Sequence, residues 1–253
     1  MTLGIYILAI LALPLASRSQ TSIGVNFAGR EWSIGGNTPQ SLNAADTAGV
    51  VGQQNWNNVD PAGADSGGLG QIIGPHAGVI SDSSGTATSV TFSYAAQGMW
   101  SVNQASGLTG NQQLLNGYSD VEGSSATGTY NFGNLSYSLY NVYVYVSSDG
   151  NGRTGGVSIN GGSQTFLLSD ANGYDYATPL IRATATTQGS AASAQYVEFQ
   201  NLTGSSFQVA LQNFGSNVGV AGIQIVAVPE PSTMALAVAG GMALAGWIRR
   251  RRV

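Results

Sequence analysis

Between residues 20 and 227 the chain sets apolar side chains against small or polar ones at a period of two. Ile23, Val25 and Phe27 open the pattern, and Val90, Phe92 and Tyr94, then Val142, Val144 and Val146, then Val157 and Ile159 repeat it. Val197 and Phe199, then Phe207, Val209 and Leu211, then Ile223 and Ile225 carry it onward, and none of these segments contains proline. Period two puts one set of side chains on one face of a strand, and the lack of proline leaves every ladder donor in place. The pattern therefore predicts an all-β protein. On residues 141–147 Tyr143 and Tyr145 face away from the valines, so that strand is either buried on both sides or exposes a tyrosine face.

The turns agree. Asn160-Gly161 accepts positive φ and lies between the 157–159 and 166–168 segments, which predicts a hairpin; Asp149-Gly150 and Asn151-Gly152 carry the same turn chemistry. No amphipathic helix of useful length is present, and residues 33–80 read mainly as long loops rich in Gly, Asn and Asp. Many short strands at close spacing need a second sheet to cover them. The expected fold is an antiparallel β-sandwich with Greek-key or jelly-roll-like connections.

The two ends follow different rules. Residues 3–16 form an apolar stretch too short to span a bilayer comfortably, followed by the small residues Ala16, Ser17 and Ser19, as in a signal peptide covering residues 1–19 with the mature chain starting near Gln20. No Lys or Arg precedes that stretch, so its only positive charge is the amino terminus. At the other end, residues 232–248 are seventeen residues without a formal charge, which as a helix reach about 25 Å, a minimal transmembrane span. Arg249, Arg250, Arg251 and Arg252 follow, half of the eight basic residues in the chain. Each would cost roughly 2.5–3.5 kcal/mol at the bilayer centre, so they hold that end on the cytoplasmic side and the body of the protein faces outward. Ala and Gly outnumber Leu, Ile and Val in the run, which reads as a temporary anchor. Ala237, Gly241 and Ala245 recur every four residues, a small-residue stripe that would let another membrane helix approach.

Pro229, Glu230 and Pro231, the apolar run and the arginine block, in that order, resemble the PEP-CTERM sorting signal. The resemblance covers residues 228–253. It implies export, recognition of Pro229, Glu230 and Pro231 by an exosortase-type membrane protease, Arg249 to Arg252 as the stop, and cleavage near the motif. Carriers of such signals are often associated with extracellular polysaccharide. A second resemblance spans the rest of the chain. Ile23-Gly24-Val25-Asn26-Phe27, the Asn-Trp-Asn-Asn stretch at residues 55–58, residues 140–145 and the Gly-Ile-Gln-Ile-Val at residues 222–226 look like an extracellular domain of PEP-CTERM proteins similar to galactose-binding-like jelly rolls. It supplies no binding residues.

Charge narrows the partners. Between residues 20 and 228 three arginines (Arg30, Arg153, Arg182) face eleven acids, a balance of about −8, and the chain has no lysine. Nothing there neutralises phosphates, so nucleic acid and anionic membrane surfaces are poor partners for the domain. With no cysteine there is no disulfide, thiolate nucleophile or Cys-based metal site.

Catalytic chemistry finds few candidates, and no cofactor or metal is implied. The single His76 lies in a Gly-Pro-His-Ala-Gly loop without a second His or Cys. Paired acids for glycoside cleavage, about 5–10 Å apart, could come from Asp60 with Asp65, Asp120 with Glu122, or Asp170 with Asp175, all in turn-like contexts. Asp149 to Arg153 is oxygen-rich like a calcium loop but lacks the later bidentate Glu, and a hairpin turn is the preferred reading. A sugar platform would combine an aromatic ring with amides; Trp56, between Asn55 and Asn57, and Tyr174, in a polar turn, are the named candidates, against core packing and a plain turn. The expected function is a non-enzymatic exported protein of the surface or extracellular matrix. A carbohydrate-binding module is the alternative, and a polysaccharide-cleaving enzyme ranks third.

Overall fold

The computed structural model describes residues 21–29, 39–59, 72–76, 78–102, 107–108, 110–170, 179–215 and 217–229. The expected signal peptide, Trp32, Asp60, Asp65, Tyr174, Asp175, Glu230, Pro231, the apolar run and the arginine block lie outside them. No helix of the described residues is long and apolar enough to cross a membrane, and the expected transmembrane helix falls on residues that are not described.

Thirteen strands, one short α-helix and a 3-10 turn at Gln188–Ser190 are described: β1 (Ser22–Phe27), β2 (Asn57–Val59), β3 (Ile72–Pro75), β4 (Thr91–Ala96), β5 (Gly98–Ser101), α1 (Gly110–Asn116), β6 (Gly117–Val121), β7 (Thr127–Gly133), β8 (Tyr140–Ser147), β9 (Arg153–Ile159), β10 (Thr165–Ser169), β11 (Tyr196–Leu202), β12 (Phe207–Asn213) and β13 (Val218–Ala227). They form a seven-stranded sheet ordered β11-β8-β13-β1-β2, with β5 on β6 and β6 on β13, and a six-stranded sheet ordered β10-β9-β12-β7-β4-β3. All pairings between named strands are antiparallel except β1 with β2. The arrangement is that of a β-sandwich.

The valines, Phe27 and the isoleucines of the first sheet meet Phe92, Tyr94, Tyr130, Phe132 and Leu211 of the second in one core. Phe27 sits at its centre, edge-on to Phe92, Tyr94 and Tyr130 with ring centroids 6.0, 5.6 and 5.4 Å away. The predicted hairpin forms: β9 and β10 pair antiparallel across the connection 160–164, in which Asn160 and Gly161 are both at positive φ (50° and 69°) and the Gly162 amide donates to the Ile159 carbonyl at 2.9 Å.

Both faces of the seven-stranded sheet are covered, so the tyrosines of β8 are buried rather than displayed. Tyr143, Tyr145, Tyr196, Trp56, Leu114, Leu115 and Tyr118 make a second apolar layer on the outer face. Its cover is the segment 39–59 together with α1, although the sequence reads 33–80 mainly as loop. Gly24 makes this possible, since a Cβ there would come within 2.6 Å of the Trp56 ring. Where β1 leaves the side of β13, β6 takes its place, and the crossing is so tight that a Cβ at Gly29 would lie 1.6 Å from the Trp100 carbonyl oxygen.

Strand β13 corrects its own phase. Val218 and Val220 point into the inter-sheet core, as do Ile223 and Ile225, while Ala221 and Val226 point outward. A strict period of two cannot connect positions 220 and 223, and a bulge against β8 between Val220 and Gly222 absorbs the extra residue. Gln224 then faces the outer layer, fully buried. Its Nε2 donates to the Val51 carbonyl (2.6 Å) and to Gln53 Oε1 (3.0 Å), its Oε1 accepts from the Tyr145 hydroxyl (2.8 Å), and that hydroxyl accepts the Val50 amide (2.7 Å).

Gln224→Leu keeps the volume but strands the Val51 carbonyl and the Tyr145 hydroxyl proton in a dry layer. The expected loss is roughly 2–3 kcal/mol of unfolding free energy, and Trp56→Ala, which opens a cavity in the same layer, is expected to lose roughly 3–5 kcal/mol. Urea denaturation followed by tryptophan fluorescence and by far-UV circular dichroism measures both.

Candidate functional site

The structure gives Trp56 the packing role. It is 5% exposed, its ring lies edge-on to Tyr145, and its Nε1 donates to the Gln53 carbonyl at 3.2 Å. Asn55 and Asn57 are likewise engaged, Asn55 donating to the Ser83 carbonyl and Asn57 to the Gly24 and Ser81 carbonyls. Tyr174, the other named platform, lies outside the described residues. His76 sits at the end of β3 with its amide on the Phe92 carbonyl, and among the described residues no three of His, Cys, Asp and Glu are grouped so as to hold a metal ion.

Residues 149–153 do not form a hairpin. They carry the chain from β8 in one sheet to β9 in the other, an arch across the sandwich. Arg153 closes it by pairing with Asp149 and donating to the Asn217 carbonyl at 2.7 Å, and Gly152 donates its amide to Asp170 Oδ1 at 2.8 Å. Asp170 also accepts from Ser193 at 2.7 Å. Both its carboxylate oxygens thus tie turns together.

Asp120 is different. Near the end of β6 it is 5% exposed, its Oδ2 has only a long bond from Asn217 Nδ2 (3.4 Å), and its buried Oδ1 has no hydrogen-bond partner. Burial, then the negative charges of Glu122 and Asp149, push its pKa up to about 7 against the opposing pull of Arg153. The neutral acid is the form that suits this position. Nearby Tyr118 is pushed up as well, by burial and then by Asp120 and Asp149. The sequence placed Asp120 and Glu122 together, and the structure shows one withdrawn and the other exposed.

The open surface of the sandwich is the outer face of the six-stranded sheet. On β4, β7 and β12 the buried residues alternate with outward ones, and the outward set includes Ser93, Thr129, Asn131, Gln208 and Gln212, with Ala95 and Ala210 among them. None of the outward residues on the described strands of this face is charged. The amides are set in register: Gln208 Nε2 donates to Asn131 Oδ1 (2.8 Å), Gln164 Nε2 to Gln212 Oε1 (2.7 Å), and the Gln208 backbone amide to Asn160 Oδ1 (2.9 Å). At one end a shallow recess of about 490 Å³ is lined by Asn131, Asn160, Ser206 and Gln208, with Phe132 and Phe207 at its floor. At the other edge Phe166 and Phe214 pack with centroids 5.6 Å apart. The signal for this face was present in the sequence, since Gln208 and Gln212 occupy the polar phase of the Phe207, Val209 and Leu211 pattern.

The last described feature is the exit of the chain. Ala227 donates its amide to the Thr21 carbonyl (3.0 Å) and Val228 to the Leu139 carbonyl (2.9 Å), after which Pro229 is exposed. The fold and this exit describe a β-sandwich that releases a short C-terminal tail from the centre of one sheet. That tail, residues 227–252, matches the model of the PEP-CTERM protein-sorting motif. No curated protein matches the chain. Among solved structures, it is similar to Bacteroides uniformis β-glucuronidase 2 (11% identity, TM-score 0.37, covering 82% of this chain and 18% of that one). It is also similar to the Podospora anserina GH26-CBM35 β-(1,4)-mannanase (12% identity, TM-score 0.28, 64% of this chain and 26% of that one). A third is TmCBM61, solved with β-1,4-galactotriose (9% identity, TM-score 0.26, 66% of this chain and 95% of that one). This chain thus spans about a fifth to a quarter of the length of the two enzymes.

The raised pKa of Asp120 has a measurable sign. The folded state holds this proton up to about pH 7, whereas the unfolded chain releases it near 3.8. Its stabilising contribution is therefore complete below about pH 4 and is lost as pH rises toward 7. Asp120→Asn, which mimics the neutral acid, is expected to flatten that part of the stability profile. At pH 8 the variant should gain on the order of 1–3 kcal/mol over wild type. Urea midpoints at a series of pH values from 4 to 8 give the comparison.

Proposed function

We propose that this chain is an exported protein, sorted through its C-terminus by an exosortase-type protease, whose sandwich serves at the cell surface or in the extracellular matrix without catalysis. The observation that carries the reading is the PEP-CTERM match at residues 227–252, directly behind the last strand. The carboxylates agree with a non-catalytic role: Asp149 is held by Arg153, both oxygens of Asp170 tie turns, and Asp120 is buried. Cell fractionation and intact mass of the native protein test it. The expected species begins near Gln20, ends near Pro229 and lies outside the cytoplasm; a full-length chain in the cytosol would reject the proposal.

A second reading rests on the uncharged outer face of the six-stranded sheet. Amides and hydroxyls offer donors and acceptors together, which suits a neutral, hydroxyl-rich polymer and gives a polyanion no counter-charge. On this reading the domain binds neutral polysaccharide through Asn131, Gln208 and Gln212, with Phe166 as the aromatic edge. The paired substitution Asn131→Ala with Gln208→Ala is expected to abolish retention on a neutral-glycan array while the denaturation midpoint shifts little. Unchanged retention would move binding away from this face.

A further inference from the structure

The two processed ends of this chain meet in the fold. Strand β1 starts two residues after Gln20 and lies antiparallel to β13, Ser22 opposite Val226 and Asn26 opposite Gly222. The signal-peptide boundary and the sorting motif therefore leave the sandwich side by side, in the middle of a sheet. The backbone bonds from Ala227 to Thr21 and from Val228 to Leu139 fix the exit on both flanks, and Ser83 donates its amide to the Ser22 carbonyl beside it at 2.8 Å.

No spacer separates fold from signal. The matched motif starts at residue 227, which is also the last residue of β13. Pro229 has no N–H and ends the ladder. Only residues 229–231 stand between the last pinned residue and the uncharged run beginning at 232, a reach of about 10 Å when extended. A folded sandwich attached to a membrane-inserted tail must then rest with this end against whatever cuts the motif. Carboxylates stand at both ends of the sandwich, and at this one Asp82 adjoins Ser83. Asp120, Glu122, Asp149 and Asp170 follow or close β6, β8 and β10 at the opposite end, beside Val218 at the start of β13. Ten residues of β13, about 33 Å of strand, keep those carboxylates several Debye lengths from an anionic bilayer surface.

Unzipping β13 is not a cheap alternative. Nine of its ten residues are buried, it is the one antiparallel partner of β1, and it separates β8 from β1 and β6. Removing it dissolves the sheet. We propose that the protease acts on the fully zipped domain, and that the end formed by Thr21, Ser83, Leu139 and Val228 is the surface on which it docks. The proposal rests on the sorting reading above.

The absence of cysteine makes a direct test available. Thr21 and Ala227 form a hydrogen-bonded pair, so Ser22 and Val226, one step along, form a non-hydrogen-bonded pair with Cα atoms about 4.5 Å apart, within disulfide range. The full chain carrying Ser22→Cys and Val226→Cys is expressed in a host that processes the wild type, and processing is followed by pulse-chase with intact mass. The oxidised chain is expected to be cut at the wild-type rate, yielding a mature product that contains the disulfide. Accumulation of oxidised precursor, relieved on reduction, would show that the strand must open and would overturn the proposal. A second variant with six Gly/Ser residues inserted between Val228 and Pro229 leaves the fold untouched. If the end guides the protease, tripling the tether should slow cutting by about five-fold; faster cutting would mean that the end obstructs and would equally overturn it. A wild-type chain left uncut in its own host removes the sorting reading itself, an outcome distinct from both.

Discussion

The molecule depends on where β13 lies. It is the last described strand and a central strand in space, hydrogen-bonded to β8 along one edge and to β6 and then β1 along the other. Its inward side chains help form the inter-sheet core and its outward ones anchor the second layer. Every group that packs on the seven-stranded sheet therefore waits for residues 218–227, and long-range pairings of this kind carry the full entropy of loop closure before they repay it. Gln224 shows how closely the layers are coupled, since one buried amide ties β13 to β8 through Tyr145 and to the covering segment through Val51 and Gln53. A fully satisfied polar group in an apolar layer selects one register, because a slip of one residue would send the amide into the inter-sheet core.

Covering one sheet has a consequence for the other. The segment 39–59 and α1 close the outer face of the seven-stranded sheet with Trp56, Leu114 and Leu115, so that face is committed to stability. In a chain with no disulfide this second layer adds apolar burial that a simple two-sheet sandwich lacks, and each fully buried large side chain contributes about 1.5–3 kcal/mol. The six-stranded sheet keeps an open face that is polar and uncharged. The two ends of the sandwich differ, one bearing the start of β1 and the end of β13 and the other the carboxylates around Arg153.

The strands that the sequence revealed are those with a simple phase: the segments around Val25, Phe92, Val144, Val157, Phe166, Val197, Val209 and Ile225 all lie in strands. Those that stayed hidden have physical reasons. β2 is three residues of Asn-Asn-Val whose asparagines work through side-chain hydrogen bonds rather than apolar alternation. β6 is buried along its whole length and so shows no period, while β5 carries its apolar residues on both faces. β7 has an alternation of glycine and aromatics that reads weakly on either scale. The cover formed by residues 39–59 is irregular backbone, and nothing local distinguishes it from solvent-exposed loop. The same limit explains the two site residues singled out from neighbours in sequence. Trp56 between two asparagines looks like a sugar platform until the sheet beneath it is known, and Asp149 to Arg153 looks like a hairpin until its two strands are seen to belong to different sheets.

Charge is the one property in which this domain departs furthest from an average surface, and the structure shows how the imbalance is contained. The two described arginines are both spent on carboxylates, Arg153 on Asp149 and Arg182 on Glu198. Arg153 pulls on Asp120 but is paired with Asp149, and burial together with the two acids on the same rim outweighs it. Proton uptake there is the cheapest way to relieve the repulsion, because a proton neutralises the buried group without requiring a partner of fixed geometry. Mildly acid surroundings thus relax the rim at the end of the sandwich remote from the Ser22–Val226 pair. Alkaline surroundings load that rim with charge while leaving the β1–β13 pairing, which carries no titratable side chain, unaffected.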